Sequence, residues 1–501
     1  MVALTSAIRF HARQRPQGEA IVCGGERVTY GALWERSMRL AGMLMARGTA
    51  KGDVVAVLMK NSPAFIEIAL AASHAGAVLL PINFRLAAEE VEYILGHAGA
   101  KLLFIDEELL PSAGGFEPRI VVDAHAQKDT GVLARGAALL ERGPALASAD
   151  LFRLMYTSGT TDRPKGVIHT YNNYYWKCLD HIAALQLTAR DRLLVVGPLY
   201  HVGAFDLPGL AVLIAGGTLC VLREFDPEAV LDAIAREWLT GSWMAPVMLN
   251  RLLAQPGRER FDLSSFRWLI GGGERTPEQR IREFTGLFQR GRYIDAYGLT
   301  ESCAGDTLME PGMELAKIGS VGRAVPHVEI EIRDDAGRTL PAGAPGEICL
   351  RGPKITPGYW REPAKTSASF FGEWFRTGDI GVLDADEFLT LTDRKKDMII
   401  SGGENIASSE VERVLYGLEQ VSEAAVIGLP DERWGERVVA VVVLRPGASL
   451  AAEALSAHCR AHLAGFKVPR QLVVRETLPR NPSGKVLKRA LRDELAGSGG
   501  A

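Results

Sequence analysis

The hydrophobic pattern of the chain changes repeatedly between the spacing of amphipathic helices and that of buried strands. Tyr30 to Ala46 carry apolar side chains at helical intervals, and residues 53–58 form a continuous apolar run typical of a buried strand. Further helices are predicted over residues 64–75 and 89–98, and further strands over residues 77–81, 101–105, 192–196, 218–222, 241–244 and 267–270. Such alternation favours a mostly parallel sheet covered by helices, so two α/β layers are expected before residue 320.

The pattern changes after Gly319. Residues 328–333, 346–351 and 388–392 alternate apolar and polar positions, which predicts a small antiparallel β unit. Five consecutive charged residues, 393–397, then separate this unit from a last region with helices at 408–416 and 450–463 and strands at 421–428, 436–444 and 471–475. The predicted fold class is α/β. A large N-terminal domain (1–393) holds two layered α/β subdomains and the small β unit, followed by a hinge (394–397) and a smaller, mobile α+β C-terminal domain (398–501).

Composition and charge exclude several classes of protein. The 501 residues are 47% hydrophobic and 23% charged with a formal net charge of -3, which is typical of a globular protein and does not favour nucleic acid as a partner. The six cysteines are scattered without a C-x-x-C pair, so we expect free thiols in a reducing cytoplasm. The most apolar stretch, residues 207–222, contains Pro208 and is shorter than the roughly 18 residues of a membrane span, so no transmembrane segment is expected.

The strongest local motif is YTSGTTDRPKG, residues 156–166, after a short apolar run. Glycines allow close backbone approach, hydroxyl groups donate hydrogen bonds and Lys165 supplies a cation, which together suit a phosphate-binding loop better than an ordinary polar turn. The P-loop of nucleoside triphosphatases is excluded because Val167 stands where that motif requires lysine.

Two weaker motifs add to this interpretation. In DAYGLTE, residues 295–301, a carboxylate follows a hydroxyl residue at a glycine turn, so Glu301 could hold Mg²⁺ while Tyr297 stacks on a base. In WFRTGD, residues 374–379, Asp379 is expected in a tight turn, where it could accept hydrogen bonds from ribose hydroxyls.

Together with DRKKDMIISGGENI and PRNPSGKVLKRALR nearer the C-terminus, these motifs resemble the ANL superfamily of adenylate-forming enzymes. This superfamily includes acyl- and aryl-CoA synthetases, adenylation domains and luciferases. The resemblance extends from Tyr30 to Arg492, and the five motifs occur in the family's order and spacing.

The resemblance implies an AMP-forming acid–thiol ligase that uses ATP, Mg²⁺ and coenzyme A. The β- and γ-phosphates would be held by Thr157, Ser158, Gly159, Thr160, Thr161 and Lys165, and the adenine by Gly272, Gly273, Glu274, Asp295, Ala296 and Tyr297. Thr300 would contact the α-phosphate, Glu301 would ligate the metal, and Asp379 and Arg394 would hold the ribose.

Lys485 would be the catalytic lysine. The substrate carboxylate must approach the α-phosphorus, so two anions meet, and a cation between them stabilises the transition state. For thioester formation the C-terminal domain would then turn about Lys396, so that Gly402 and Gly403 face the pantetheine arm. The sequence does not exclude a rigid charged loop in place of this hinge.

One residue departs from the family pattern. Asp162 stands where the phosphate loop usually has glycine. Aspartate tolerates unusual backbone angles, so activity is expected to be retained, and Asp162→Gly should lower the KM for ATP or leave it unchanged.

The acid pocket would include His201 as an aromatic gate together with mostly apolar neighbours. The implied walls are Val202, Phe205, Trp243, Met244, Pro246, Gly298, Val321 and Gly322. A monocarboxylic acid with an apolar body is expected because a second buried carboxylate would lack a partner. A fatty acid is favoured over an aryl or cinnamate-type acid.

Other functions stay open. A stand-alone enzyme that loads a carrier protein, an oxidative luciferase and a non-catalytic acyl-nucleotide binding protein would share the nucleotide motifs. The last would be expected to lack Lys485 or Glu301. The basic stretch from Lys485 to Arg492 is interpreted as a solvated helix face, with peripheral membrane contact as the alternative.

Overall fold

The computed structural model describes residues 3–122, 134, 136–157, 164–272, 276–394, 397–401, 404–431, 433–480 and 486–497. These residues form four β-sheets. In the described residues, none of the helices combines the length and the apolar character needed to cross a bilayer. All six cysteines are free thiols, as predicted, and all except Cys23 are buried.

The first sheet carries the two ends of the motif YTSGTTDRPKG at its edge. Its six strands lie in the order Arg119–Val122, Ala100–Asp106, Val54–Leu58, Val78–Pro81, Leu151–Thr157 and Lys165–Thr170. Neighbouring strands are parallel except for the last two, which form an antiparallel hairpin with Thr157 opposite Lys165. The motif is therefore the connection of a β-hairpin, and the register of the hairpin places its first hydroxyl next to its lysine.

The second sheet has nine strands and a parallel centre. The order is Arg323–Ala324, Thr307–Leu308, Arg292–Tyr297, Trp268–Gly271, Gly241–Met244, Arg192–Val195, Thr218–Val221, Glu19–Cys23 and Glu26–Thr29. The hairpin of Glu19–Cys23 and Glu26–Thr29 was not predicted. Its first strand pairs with Thr218–Val221, far along the chain.

Helices accompany these two sheets. They are Thr5–Gln14, Tyr30–Ala46, Pro63–Ala75, Ala88–Ala98, Tyr171–Leu185, Val202–Asp206, Leu210–Ala215, Pro227–Glu237, Pro246–Leu253 and Glu278–Leu287. Capping side chains determine where several of these helices begin. The Thr29 hydroxyl accepts from the Ala32 amide, and Ser62 caps a helix whose first residue is Pro63. The largest hydrophobic cluster draws residues from both sheets, so the two α/β layers share one core.

The third sheet is antiparallel, as predicted for the small β unit. Its main path is Glu329–Arg333, Gly346–Arg351, Trp374–Leu383 and Phe370–Phe371, with Leu389–Arg394 also paired to Trp374–Leu383 and the helix Pro363–Ala368 nearby in the chain. Asp379 lies within this long strand rather than in a tight turn. The neighbouring Gly378 has a φ of 74°, which distorts the strand, and Asp379 pairs directly with Arg394.

The C-terminal unit has a sheet and a core of its own. Its strands are Glu404–Ile406, Ile399–Ser401, Gly435–Leu444 and Val421–Asp431, with Gln471–Arg475 parallel to Gly435–Leu444. The helices are Ser408–Leu415, Ala452–His462 and Lys488–Gly497. Two hydrophobic clusters cover the two faces of this sheet and are separate from the large core.

Candidate active site

The first parts of the site lie where the hairpin strands Leu151–Thr157 and Lys165–Thr170 meet the motif. Lys165 points its Nζ at the Tyr359 hydroxyl, 2.7 Å away, and at Glu301 Oε1, 3.3 Å away. At the other end, the Thr157 hydroxyl is buried and has no hydrogen-bond partner in the described structure. An unpaired buried hydroxyl beside a lysine is an arrangement that a phosphate oxygen could complete.

Several predicted residues lie outside the described part of the chain. They are Ser158, Gly159, Thr160, Thr161, Asp162, Gly273, Glu274, Lys396, Gly402, Gly403, Lys485 and the side chain of Arg394.

The turn that carries Thr300 and Glu301 follows the strand Arg292–Tyr297 and is a short 3₁₀ segment, Thr300–Ser302. Tyr359 donates to Glu301 Oε1 at 2.8 Å, and the Thr356 amide donates to the Glu301 carbonyl at 2.7 Å. Burial and the charge of Glu301 raise the pKa of Tyr359, so its hydroxyl stays protonated and donates to the carboxylate.

Tyr359 is a site residue that sequence reasoning missed. It belongs to the triplet GYW, residues 358–360, and such a tyrosine cannot be told from an ordinary core aromatic until its partners are known. Its ring is buried, and the contacts of its hydroxyl with Lys165 and Glu301 show that it joins the hairpin to the Thr300–Ser302 turn.

The structure brings together Tyr297 and Asp379 from two sheets. The Tyr297 hydroxyl donates to Asp379 Oδ2 at 2.8 Å, and both residues line a cavity of about 690 Å³. Ala296 also lines this cavity, Asp295 is buried in the same strand, and Gly272 lies close to the Ala296 carbonyl. Those predicted adenine and ribose residues that the structure describes are therefore neighbours.

The C-terminal unit forms the opposite wall of this cavity. Arg480 and Val486, which flank the undescribed segment 481–485, both line it, as does Lys488. The segment that contains Lys485 thus begins and ends at residues of the cavity.

A partly buried cluster of charges connects the two units beside the cavity. Asp393 Oδ2 accepts from both the amide and the hydroxyl of Ser408, each at 2.6 Å. Lys488 donates to Ser408 Oγ at 2.5 Å and pairs with Glu412 at 2.7 Å. Arg492 pairs with Asp397 at 2.8 Å. The interpretation of this basic stretch as a solvated face is therefore wrong for Lys488 and Arg492.

The residues predicted for the acid pocket meet around Trp243. Its indole is stacked on His201, with ring centroids 5.8 Å apart. A Cβ atom at Gly197 or Gly203 would lie 2.5 or 2.4 Å from the indole, so these glycines provide the space that it occupies. His201 caps the helix Val202–Asp206 by accepting from the Gly203 amide at 3.0 Å.

Other predicted wall residues are distributed on both sides of the second sheet. Val202 and Phe205 are buried in the large core together with Trp243. Met244, the next residue of the strand, points to the opposite face and packs in a separate hydrophobic cluster, because successive side chains of a strand alternate. Gly298 and Gly322 lie against backbone atoms of Gly305 and Leu308, where a Cβ atom would clash.

Glu301 suits a magnesium ion that is also held by phosphates. Magnesium is commonly bound through one or two carboxylates, substrate phosphates and water, rather than by a full set of protein ligands. Glu301 is mostly buried, lies 3.3 Å from a lysine and is oriented by a protonated hydroxyl. No group of three metal-ligating side chains occurs among the residues described. Together with ATP phosphates, the residues present fit this ion.

Comparison with known families identifies the class. Residues 8–360 match the AMP-binding enzyme family, and residues 410–485 match the AMP-binding enzyme C-terminal domain. The chain belongs to this family, the ANL superfamily of adenylate-forming enzymes, and is an AMP-forming acid–thiol ligase that uses ATP and coenzyme A.

Individual relatives extend over nearly the whole chain. A feruloyl-CoA synthase of Amycolatopsis sp is 37% identical over 496 residues, which is 96% of each chain. The long-chain-fatty-acid–CoA ligase FadD13 of Mycobacterium tuberculosis is 37% identical over 475 residues, 94% of this chain and 93% of that protein. A fatty acid–[acyl-carrier-protein] ligase, ScoC, of Streptomyces coeruleorubidus is 34% identical over 514 residues, 99% and 96% of the two chains.

Solved structures show the same architecture. The ATP-bound structure of MatB from Rhodopseudomonas palustris is 30% identical, covers 99% of both chains and superimposes with a TM-score of 0.91. The apo structure of the same protein gives 0.82 over the same coverage. The chain therefore superimposes more closely on the ATP-bound structure of MatB than on its apo structure.

Proposed function

We propose that the protein is an acyl-CoA ligase for a monocarboxylic acid with an apolar body, with a fatty acid as the first candidate. The observation that carries this proposal is the cavity between the two units. One wall holds Tyr297 and Asp379, and the other holds Arg480 and Val486 on either side of the Lys485 segment. This arrangement suits a nucleotide on the large domain that is reached by a lysine from the small one.

In the first half-reaction the substrate carboxylate attacks the α-phosphorus of ATP, the acyl–AMP bond forms and pyrophosphate leaves. Lys485 would lie between the carboxylate and the α-phosphate and reduce their repulsion. Thr300 would orient the α-phosphate, while Thr157 and Lys165 would bind the departing phosphates with Ser158, Gly159, Thr160 and Thr161.

The nucleoside would be held by the residues that line the cavity. Tyr297 would stack on the adenine, with Gly272, Gly273, Glu274, Asp295 and Ala296 around it, and Asp379 would accept from the ribose hydroxyls together with Arg394. The hydrogen bond between Tyr297 and Asp379 would hold the adenine-binding and ribose-binding residues in a fixed relative position.

Glu301 would hold magnesium together with the ATP phosphates. The bound ion would supply positive charge to the phosphates as pyrophosphate departs. Lys165 would be released from Tyr359 and Glu301 to contact the same phosphates.

In the second half-reaction the coenzyme A thiol replaces AMP and the thioester forms. The C-terminal domain would turn about Lys396, within the hinge 394–397, and Gly402 and Gly403 would then face the pantetheine arm. The bonds from Asp393 to Ser408 cross this boundary, so they would hold the present arrangement and break on rotation. The domain limits 1–393 and 398–501 are part of this proposal.

The acid would lie against Val202, Phe205 and Trp243, with His201 as the gate. Gly298 and Gly322 would complete the pocket, and a side chain at either position would collide with neighbouring backbone. Behind Phe205 the charge of Arg153 is paired with Asp206, so this wall offers no free charge to a second carboxylate. Met244 is not included because it packs on the other face of its strand.

An aryl or cinnamate-type acid is the second candidate. The stacked pair of His201 and Trp243 offers a flat aromatic surface, which suits a planar substrate as well as an alkyl chain. The relatives named for feruloyl-CoA and for long-chain acyl-CoA are equally similar to this chain, at 37% identity. A carrier protein in place of coenzyme A is a further possibility that the ScoC relative supports.

The test is a panel of carboxylic acids with ATP, magnesium and either coenzyme A or a holo-acyl carrier protein. AMP release and thioester formation are measured together. The proposal expects the highest kcat/KM with fatty acids and coenzyme A. Preference for cinnamate-type acids would select the second candidate, and absence of product with every acid would refute the proposal.

A pair of lysine variants tests the mechanism. Lys485→Ala should lower the rate of acyl-AMP formation at least about 100-fold while thioester formation from synthetic acyl-AMP is retained. Lys467→Ala is the control, because it removes another lysine of the C-terminal unit, one that pairs with Glu410 and does not line the cavity. Full adenylation activity in Lys485→Ala would contradict the mechanism.

A further inference from the structure

A fully buried arginine and histidine lie at the junction of three elements proposed to bind substrates. Arg153 and His169 face each other in the hairpin that carries the phosphate motif, and both are almost inaccessible to solvent. Arg153 also pairs with Asp206, at the end of the helix Val202–Asp206, and its guanidinium lies 5.3 Å from the ring of Phe205. His169 Nε2 lies 2.6 Å from the Thr300 carbonyl.

The hydrogen-bond chemistry fixes the tautomer of His169. Arg153 Nε–H can only donate, and it lies 2.9 Å from His169 Nδ1, which therefore accepts. The single imidazole proton is then on Nε2, where it faces the Thr300 carbonyl. Burial, and next the charge of Arg153, hold the pKa of His169 well below its usual range, so the ring stays neutral at physiological pH.

We propose that His169 is a positioning residue that orients the Thr300–Glu301 turn by donating its Nε2 proton to the Thr300 carbonyl. Arg153 holds the imidazole in the tautomer that can do so. Through its pair with Asp206, Arg153 also ties this turn to the helix behind the acid pocket. The proposal rests on the proposed function, in which Thr300 contacts the α-phosphate.

Packing alone does not explain this arrangement. A buried ion pair can often be replaced by apolar side chains of similar volume without loss of stability, so the charges are not needed to fill the space. The Thr300 carbonyl also accepts from the Cys303 amide at 3.1 Å, so the turn closes without His169. The hydrogen bond from His169 is therefore not needed to form the turn, and its role is to set the orientation of the turn.

Two conservative variants distinguish the two hydrogen bonds of the His169 imidazole, one with Arg153 and one with the Thr300 carbonyl. In His169→Asn the amide oxygen replaces Nδ1 and can still accept from Arg153, but the side chain is too short to reach Thr300. In His169→Gln the amide nitrogen replaces Nε2 and can still donate to the Thr300 carbonyl. Both side chains are polar and no larger than histidine, which limits their effects on folding.

The experiment measures ATP-dependent acyl-AMP formation and the melting temperature of both variants. His169→Asn should lose on the order of tenfold in kcat/KM for ATP, as expected when one buried hydrogen bond is removed. His169→Gln should stay within about threefold of the wild type. The KM for the acid and the melting temperature should be similar in the two variants. Equal ATP kinetics in both variants, or losses that follow the melting temperature, would overturn the proposal.

Two measurements decide the proposal without any activity. Nitrogen-15 NMR of labelled histidines should show His169 as the Nε2–H tautomer from pH 5 to 8, and an Nδ1–H or charged ring would overturn it. Calorimetric titration with ATP should give weaker binding in His169→Asn than in His169→Gln. If the wild type forms no acyl-AMP with any acid, the proposed function fails, while these two results still support or overturn the role of His169.

Discussion

The hydroxyl of Tyr359 separates two opposite charges, and its removal should weaken the binding of magnesium–ATP. Lys165 Nζ and Glu301 Oε1 are 3.3 Å apart, and both bond to this hydroxyl, at 2.7 and 2.8 Å. In Tyr359→Phe the charges can close to a direct contact of about 2.8 Å. The free enzyme then holds its lysine and carboxylate in a tighter pair, which must open before either reaches its ligand.

The magnitude follows from Coulomb's law. At an effective dielectric constant of about 20, shortening the separation from 3.3 Å to about 2.8 Å strengthens the attraction by roughly 1 kcal/mol. Both side chains are less than one third exposed, so solvent screens only part of this energy. A gain of this size in the free enzyme corresponds to about a fivefold rise in the KM for magnesium–ATP.

The assay is pyrophosphate release at saturating acid, with ATP and magnesium varied separately. Tyr175→Phe is the matched control, because it removes one hydroxyl bond to the Ala3 carbonyl far from the site. Tyr359→Phe should raise the KM for magnesium–ATP and the magnesium concentration needed for half-maximal rate, with the KM for the acid unchanged. An unchanged or lower KM for magnesium–ATP in a folded variant would refute the reasoning.

Three further changes test other parts of the structure. Gly203→Ala places a Cβ atom 2.4 Å from the Trp243 indole, so the KM for the acid should rise about tenfold in initial-rate assays while the KM for ATP is unchanged. Ser408→Ala removes a hydroxyl bond to Asp393, so acyl-AMP formation should slow severalfold in rapid-quench assays, whereas thioester formation from synthetic acyl-AMP should not slow. The pKa of His169 is depressed in the native protein, so between pH 6.5 and 5 the unfolded chain binds a proton that the native protein does not. As the pH is lowered through this range, the free energy of unfolding should therefore decrease by up to about 1.4 kcal/mol per pH unit. When the free energy of unfolding is measured by urea at several pH values, its dependence on pH in His169→Gln should be weaker than in the wild type by up to this amount.

The sequence predicted the regular parts of the fold well because local periodicity determines them. The strands Gly241–Met244, Gly346–Arg351 and Gln471–Arg475 and the helix Tyr30–Ala46 begin and end at the predicted residues. The hairpin that starts at Glu19 was missed, since it is short and depends on pairing with Thr218–Val221 about 200 residues away. Such pairing leaves no periodic signal in the local sequence.

In the candidate site, too, features set by the local sequence were predicted and features set by distant partners were not. Motifs predicted which polar residues would gather, and Tyr297 and Asp379 do lie together. The side of the sheet to which a strand residue points was harder to predict. Trp243 and Met244 are neighbours in one strand and point into two different hydrophobic clusters, which the sequence does not show because both residues are apolar. Tyr359 and the pair of Arg153 and His169 were not found, since each acts through partners from distant segments.

The hairpin register also bears on the unusual aspartate of the phosphate motif. Thr157 and Lys165 are cross-strand partners, and the pairing continues from Tyr156 and Gly166 to Leu151 and Thr170. The ladder ends at Thr157 and Lys165, so the strand pairing that places these two residues does not involve position 162. A substitution at position 162 is therefore expected to leave the pairing of Thr157 with Lys165 in place. This supports the expectation that activity is retained with Asp162, and that a change there would appear in the KM for ATP.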